Sequence, residues 1–125
     1  MKVVVITGSR VFPWRRSSEI QKVLEGADLL IVGDAKGADA IARKLAARAF
    51  IPVLECKADW GRHGLGAGPR RNALMVGFAA VFMRAGYKSV ECHAFPFGES
   101  RGTRGCVDLM KSAGIPVVVH EDPEA

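Results

Sequence analysis

Apolar residues fall along this chain in two alternating patterns, short unbroken runs and longer stretches in which they recur every three or four positions. Val3-Val4-Val5-Ile6 is an unbroken run stopped by Gly8. A run without polar alternation suits a strand covered on both faces. Residues 28–32, 51–56, 89–95 and 116–120 repeat the pattern, which predicts five strands. Pro52 stands near the start of the third, where a missing N–H is tolerated.

The helical stretches lie between these runs. Ser17 or Ser18 is positioned to cap a first helix ending near residue 25, and residues 37–49 form a second with Ile41, Leu45 and Ala49 on one face. Pro69 suits the first turn of a third helix over 69–85. Thr103 is the expected N-cap of a fourth, over 103–113, which Gly114 closes. Residues 57–68 read as a glycine-containing loop, and the acidic tail 121–125 as frayed. Strand and helix alternate throughout, with no internal repeat and no linker. The pattern predicts one α/β domain over residues 1–125, a five-stranded, mostly parallel sheet with right-handed crossovers and helices on its faces.

A parallel sheet gathers the turns that follow its strands at one edge, where ligands bind in such folds. Four turns of this chain are small, glycine-containing or basic: Thr7-Gly8-Ser9-Arg10, Gly33-Asp34-Ala35-Lys36-Gly37-Ala38-Asp39, Ala67-Gly68-Pro69-Arg70-Arg71-Asn72 and Ser100-Arg101-Gly102-Thr103. Glycines let backbone amides approach an anion, and a helix N-terminus favours negative charge. Together they predict one site for a phosphate-bearing ligand. Each turn also has a plainer reading. Ser9 and Arg10 offer a hydroxyl, an amide and a guanidinium, or form a tight turn with a surface arginine. Asp39 orients a ribose hydroxyl or complements a helix dipole, and Asp34 is equally ambiguous. Trp60 stacks on a base or covers the core. Arg70 and Arg71 oppose the dipole of the helix they open unless an anion is present, and Asn72 bonds ligand or loop. Ser100, Arg101, Gly102 and Thr103 hold phosphate or simply start a helix.

Composition narrows the field. Eighteen Lys and Arg against 13 Asp and Glu leave a net charge of +5, much of it in arginines at these turns, which fits a small anion better than a diffuse nucleic-acid surface. The three cysteines form no CxxC pair, so a reducing, cytoplasmic setting is expected; Cys56 and Cys92 read as core, and Cys106 alone is a candidate thiol. The apolar stretch 73–83 is shorter than the ~20 residues of a membrane span, so no membrane partner is expected. Neither GxGxxG nor GxxxxGK[ST] occurs, so a standard nicotinamide site or P-loop is unsupported, and no cofactor is assigned. His63, His93 and His120 have no ligand spacing, so no metal is assigned. The third helix carries apolar residues around most of its circumference, among them Leu74, Met75, Phe78, Val81 and Phe82. Such a helix is wholly buried or lies at an interface, and a homodimer is expected.

The ordered set of turns, continued by Ala58-Asp59-Trp60, Phe95-Pro96 and Ala113-Gly114-Ile115-Pro116-Val117, resembles the SLOG superfamily in its YspA-like branch, related to YpsA, over nearly the whole chain. The resemblance implies a Rossmann-like fold that binds a nucleotide or a nucleotide-derived, ADP-ribose-like ligand. Its implied ligand set is Gly8, Ser9, Arg10, Gly33, Asp34, Gly37, Asp39, Trp60, Arg70, Asn72, Ser100, Arg101, Gly102 and Thr103. Superfamily relatives include Lonely Guy phosphoribohydrolases and the DNA-binding DprA branch. Lonely Guy enzymes carry a glutamate three residues after the threonine of their glycine-rich turn, where this chain has Cys106. A thiol does not replace carboxylate acid–base help at an N-glycosidic bond. Binding or sensing is therefore the first expectation, a nucleotide hydrolase using Asp34 or Glu99 the second, and nucleic-acid binding the third.

Overall fold

Residues 1–87 and 89–123 are described by the structure, a computed structural model. The apolar runs become the strands β1 (Lys2–Gly8), β2 (Leu29–Gly33), β3 (Val53–Cys56), β4 (Ser89–Phe95) and β5 (Val117–Val119). They form one five-stranded sheet in the order β3-β2-β1-β4-β5, and every pairing is parallel. Val3, Val4, Val5 and Ile6 of the central strand have no exposed surface, as their unbroken run requires.

Helices α1 (Ser17–Leu24) and α2 (Ala38–Arg48) cover one face of the sheet, over a core that includes Val4, Ile6, Ile20, Leu30, Ile41 and Phe95. Helices α4 (Ala67–Arg84) and α5 (Arg101–Ser112) cover the other, over Val3, Val5, Ile31, Met75, Cys92 and Met110. Successive strands step outward from β1 in one direction through β2 to β3 and in the other through β4 to β5. The order therefore reverses between β1 and β4, where Gly8 pairs with Phe95 at their carboxyl ends.

Several boundaries differ from expectation for local reasons. Neither Ser17 nor Ser18 caps α1; a 3-10 turn at Trp14–Arg16 feeds directly into it, and its N-cap position is Arg16. The expected loop 57–68 contains a short helix, α3 (Trp60–His63), because Asp59 Oδ1 accepts the Arg62 amide at its start, followed by a 3-10 turn at Gly64–Gly66. Helix α4 begins before Pro69, which still lies in its first turn. Helix α5 begins before Thr103, which is a buried residue inside it rather than its cap. The acidic tail is pinned at its start, with Glu121 paired to Arg104 at 3.1 Å and Asp122 near Arg16 at 4.0 Å. Its last residues, Glu124 and Ala125, lie outside the described residues.

Three helices end in the same six-residue arrangement, in which two successive amides turn back onto the last carbonyls. In α4 and α5 the left-handed position is Gly86 (φ 92°) and Gly114 (φ 77°); in α2 it is Phe50, at φ 57° and 93% exposed. Phe50 thus accepts a conformation unfavourable for a side chain without gaining burial. Helix α4 is not wholly buried, since Leu74 and Val81 are exposed. His93 and His120, which no sequence spacing links, meet across β4 and the residue after β5. His93 Nδ1 lies 2.9 Å from His120 Nε2, and His93 Nε2 lies 2.9 Å from Glu91 Oε1. Among the described residues no helix is long and apolar enough to cross a membrane.

Candidate functional site

A cavity of about 480 Å³ opens where the strand order reverses. Its walls come from the carboxyl end of β1, the turn before α2, the Trp60 region, and the first turns of α4 and α5. Of the residues expected to bind ligand, Gly8, Ser9, Arg10, Asp39, Trp60, Asn72, Ser100, Arg101, Gly102 and Thr103 line it. Gly33, Asp34, Gly37 and Arg70 are not among its lining residues, and neither is Glu99.

The glycines separate by what their missing side chains make room for. At Gly8 a Cβ would overlap Ala38 Cβ and approach the Phe95 carbonyl at 2.9 Å. At Gly37 it would fall on the Ser9 carbonyl oxygen, and at Gly33 it would meet Asp39 Oδ2 at 2.6 Å. These three let protein pack on protein. Gly102 has nothing within 4 Å of a built Cβ, so its wall is open.

The turn after β1 is already hydrogen-bonded. The Ser9 amide donates to the Phe95 carbonyl at 3.0 Å, and the Ser9 carbonyl accepts from Phe12 and Ala38. Ser9 Oγ accepts the Val11 amide at 3.2 Å, which leaves its hydroxyl proton, not its amide, for a ligand. The Arg10 guanidinium lies 5.0 Å above the Trp60 ring, and Trp60 remains 43% exposed.

Helix α5 supplies the free donors. Its N-cap residue, Ser100, sits at φ 51° and makes no capping bond; its hydroxyl instead donates to the Phe97 carbonyl at 2.9 Å. The first-turn amides of Arg101, Gly102 and Thr103 have no acceptor within the helix, and these residues line the cavity. Helix α4 likewise starts without a side-chain cap, and its Gly68 and Pro69 line the cavity.

Arg71, rather than Arg70, belongs to this wall. Its Nη1 donates to Asp34 Oδ1 at 2.9 Å and its Nε to Asn72 Oδ1 at 2.9 Å, while Asn72 Nδ2 reaches the Gly102 carbonyl at 3.4 Å. Asp34 Oδ2 also accepts the Ala58 amide at 3.2 Å. Asp34 is thereby a tie between the β2 turn and α4. Asp39 is the carboxyl that lines the cavity, and it is 4% exposed. Burial pushes it up to about 6, against the pull of Arg71, the Ala35 amide and Arg43. Cys106, the candidate thiol, is fully buried, and burial pushes it up to about 11 despite a hydrogen bond with Thr7, so it is no ready nucleophile. Thr7 and Ala35, which lie in the singled-out turns, and Gly105 and Leu109, which no motif signalled, complete the lining.

No family model matches the sequence. Among solved structures, DNA processing protein A (DprA) from Streptococcus pneumoniae matches with a TM-score of 0.53 and 17% identity, over 94% of this chain. This chain spans 58% of the length of that protein, and the likeness shows a shared α/β, Rossmann-like fold. The "Gene 61 protein" of Mycobacterium phage D29 is 39% identical over 133 residues, covering 98% of both chains. With that identity over nearly their full lengths, the chain belongs to the family of the mycobacteriophage Gene 61 protein.

Proposed function

We propose that the chain binds a nucleotide or an ADP-ribose-like derivative in this cavity, as a member of the YspA-like branch of the SLOG fold. The observation that carries the reading is the uncapped start of α5, whose free amides open on a cavity that Arg10, Arg71 and Arg101 also line. The dipole and amides of α5 suit a phosphate, and the arginines add charge. The volume is within the range of roughly 300–1,000 Å³ usual for small-ligand sites. Trp60 offers a ring for the base.

Binding fits better than hydrolysis by Asp34, Glu99 or Cys106. Asp34 is held by Arg71, Glu99 stands outside the cavity lining, and Cys106 is sealed in the core. The test is thermal stabilisation by ADP-ribose, AMP, NAD and short oligonucleotides, since a ligand of the folded state raises the melting temperature. ADP-ribose or AMP is expected to raise it, and Arg101→Ala to weaken that ligand about ten- to hundredfold, the worth of a charged hydrogen bond. A flat mononucleotide response, with a salt-sensitive response to oligonucleotides, would replace this reading by nucleic-acid binding. One observation favours that second reading: Trp14 and Trp60 are both exposed, and the side chains of Lys44 and Arg10 lie over their rings.

The exposed Leu74 and Val81 of α4 are, in the same proposal, contacts of a homodimer. Sedimentation is expected to show a dimer that Leu74→Glu dissociates; a monomer at all concentrations would remove this part.

A further inference from the structure

Asp39 lines the same cavity as the proposed anion site, so an ionised Asp39 and a bound anion would repel each other. Asp39 Oδ2 accepts the Ala35 amide at 3.2 Å. Its Oδ1 accepts no hydrogen bond among the described residues and is open to the cavity. The charged and titratable groups that face this carboxyl are Arg71 from α4, Arg43 from its own helix, Asp34 from the turn after β2, and the Cys106 thiol from α5. Both arginines have other partners. Arg71 holds Asp34 and Asn72; Arg43 pairs with Glu55 at 3.3 Å and donates to the Gly33 and Ala35 carbonyls.

An ionised carboxylate beside a phosphate is disfavoured, as any like-charge pair in a desolvated site is. We propose that an anionic nucleotide binds with Asp39 in its acid form, so that ligand uptake carries a proton from solvent onto Asp39 and makes Oδ1 a hydrogen-bond donor to the ligand. This rests on the nucleotide reading above. The carboxyl's position near 6 in the free protein puts the coupling within an accessible pH range.

Above that value, affinity falls by up to tenfold for each unit of pH. ADP-ribose is the apt probe, because a diphosphate diester has no titration of its own between about pH 5.5 and about pH 8. Calorimetry at these two pH values, in buffers of different protonation heat, is expected to show affinity at least about tenfold weaker at the higher pH, with net proton uptake there. Asp39→Asn keeps an oxygen for the Ala35 amide and offers an N–H to the ligand. It is expected to bind ADP-ribose at the higher pH more tightly than the unsubstituted protein, with the pH dependence flattened. Carboxyl carbon resonances give a second readout in the unsubstituted protein: the signal absent from Asp39→Asn should titrate near 6 and move upward when ADP-ribose is added. Binding of equal strength at both pH values without proton uptake, or an Asp39 signal that titrates like an exposed carboxylate, overturns the coupling and leaves the nucleotide reading standing. Failure of both ADP-ribose and AMP to bind at either pH overturns the nucleotide reading, and the coupling with it.

Discussion

Gly37→Ala is expected to cost about 4 kcal/mol or more of stability, enough to unfold a marginally stable domain at moderate temperature. Gly37 lies at φ 70° and ψ −127°, a region closed to residues with a Cβ. The added methyl would also land on the Ser9 carbonyl oxygen and lie 2.6 Å from the Arg10 carbonyl carbon and oxygen. Those are backbone atoms, and the Ser9 carbonyl already accepts the Phe12 and Ala38 amides, so the obstruction cannot rotate away. Relief would require separating the β1 turn from the start of α2, which would disturb the cavity wall at Ser9 and Arg10. Glycines elsewhere give the opposite sign. Gly77 lies within α4 with open space at its Cβ, so Gly77→Ala is expected to gain a few tenths to about 1 kcal/mol. Phe50→Gly should gain about 1 kcal/mol, since it relieves a left-handed residue that buries nothing. Chemical denaturation of the three variants checks the set. A Gly37→Ala protein as stable as its parent would refute the packing role given to that glycine.

The strands were legible because their apolar runs need no long-range information. A run such as residues 3–6 has no polar face to turn to solvent, so only a doubly covered strand satisfies it. The gathering of the turns at one edge followed from parallel topology. What each turn does was less accessible. Gly33 and Gly37 looked like anion-binding glycines, yet their space is filled by Asp39, Arg71, Ser9 and Arg10 of the same chain. A glycine that admits a ligand and one that admits a neighbouring helix have the same local sequence. Arg70 was expected at the site, and it is Arg71 that lines the cavity, for a related reason. Adjacent helical residues point about 100° apart, and only the packing of α4 decides which faces the cavity. The short helix at Trp60 had a readable signal in Asp59 as an N-cap. The Glu91–His93–His120 contacts had none, because His93 and His120 are 27 residues apart in sequence and meet only through the pairing of β4 with β5.

Asp39→Asn is expected to raise stability at about pH 8 by roughly 3 kcal/mol, or on the order of 10 °C in melting temperature for a domain of this size. The carboxyl's ordinary value of 3.8 rises to about 6 in the fold, chiefly because burial strips water from the charged form. The folded chain therefore holds this proton more tightly than the unfolded chain. Between about pH 4 and about pH 6 the folded state binds more protons, so the contribution of this group to stability falls as pH rises. Below the unfolded value the contribution is fully present; above the folded value it has been lost. Asparagine mimics the neutral acid at every pH, so the variant should match its parent in acid and exceed it at neutral pH and above. Glu19 works in the opposite direction. Its hydrogen bonds from Arg16 lower it, so it favours folding above its unfolded value and that benefit is lost in acid. The difference between variant and parent cancels Glu19 and isolates Asp39. Melting curves across this range check the claim, and a difference that does not grow between about pH 4 and about pH 6 would refute it. Arg71 and Arg43 do not reverse the sign, because both are already bonded to Asp34, Asn72 or Glu55 and lose little when Asp39 is neutralised. A buried carboxyl expected to weaken the fold at neutral pH, on the wall of the cavity at the strand-order reversal, is placed where the proposed ligand would compensate for it.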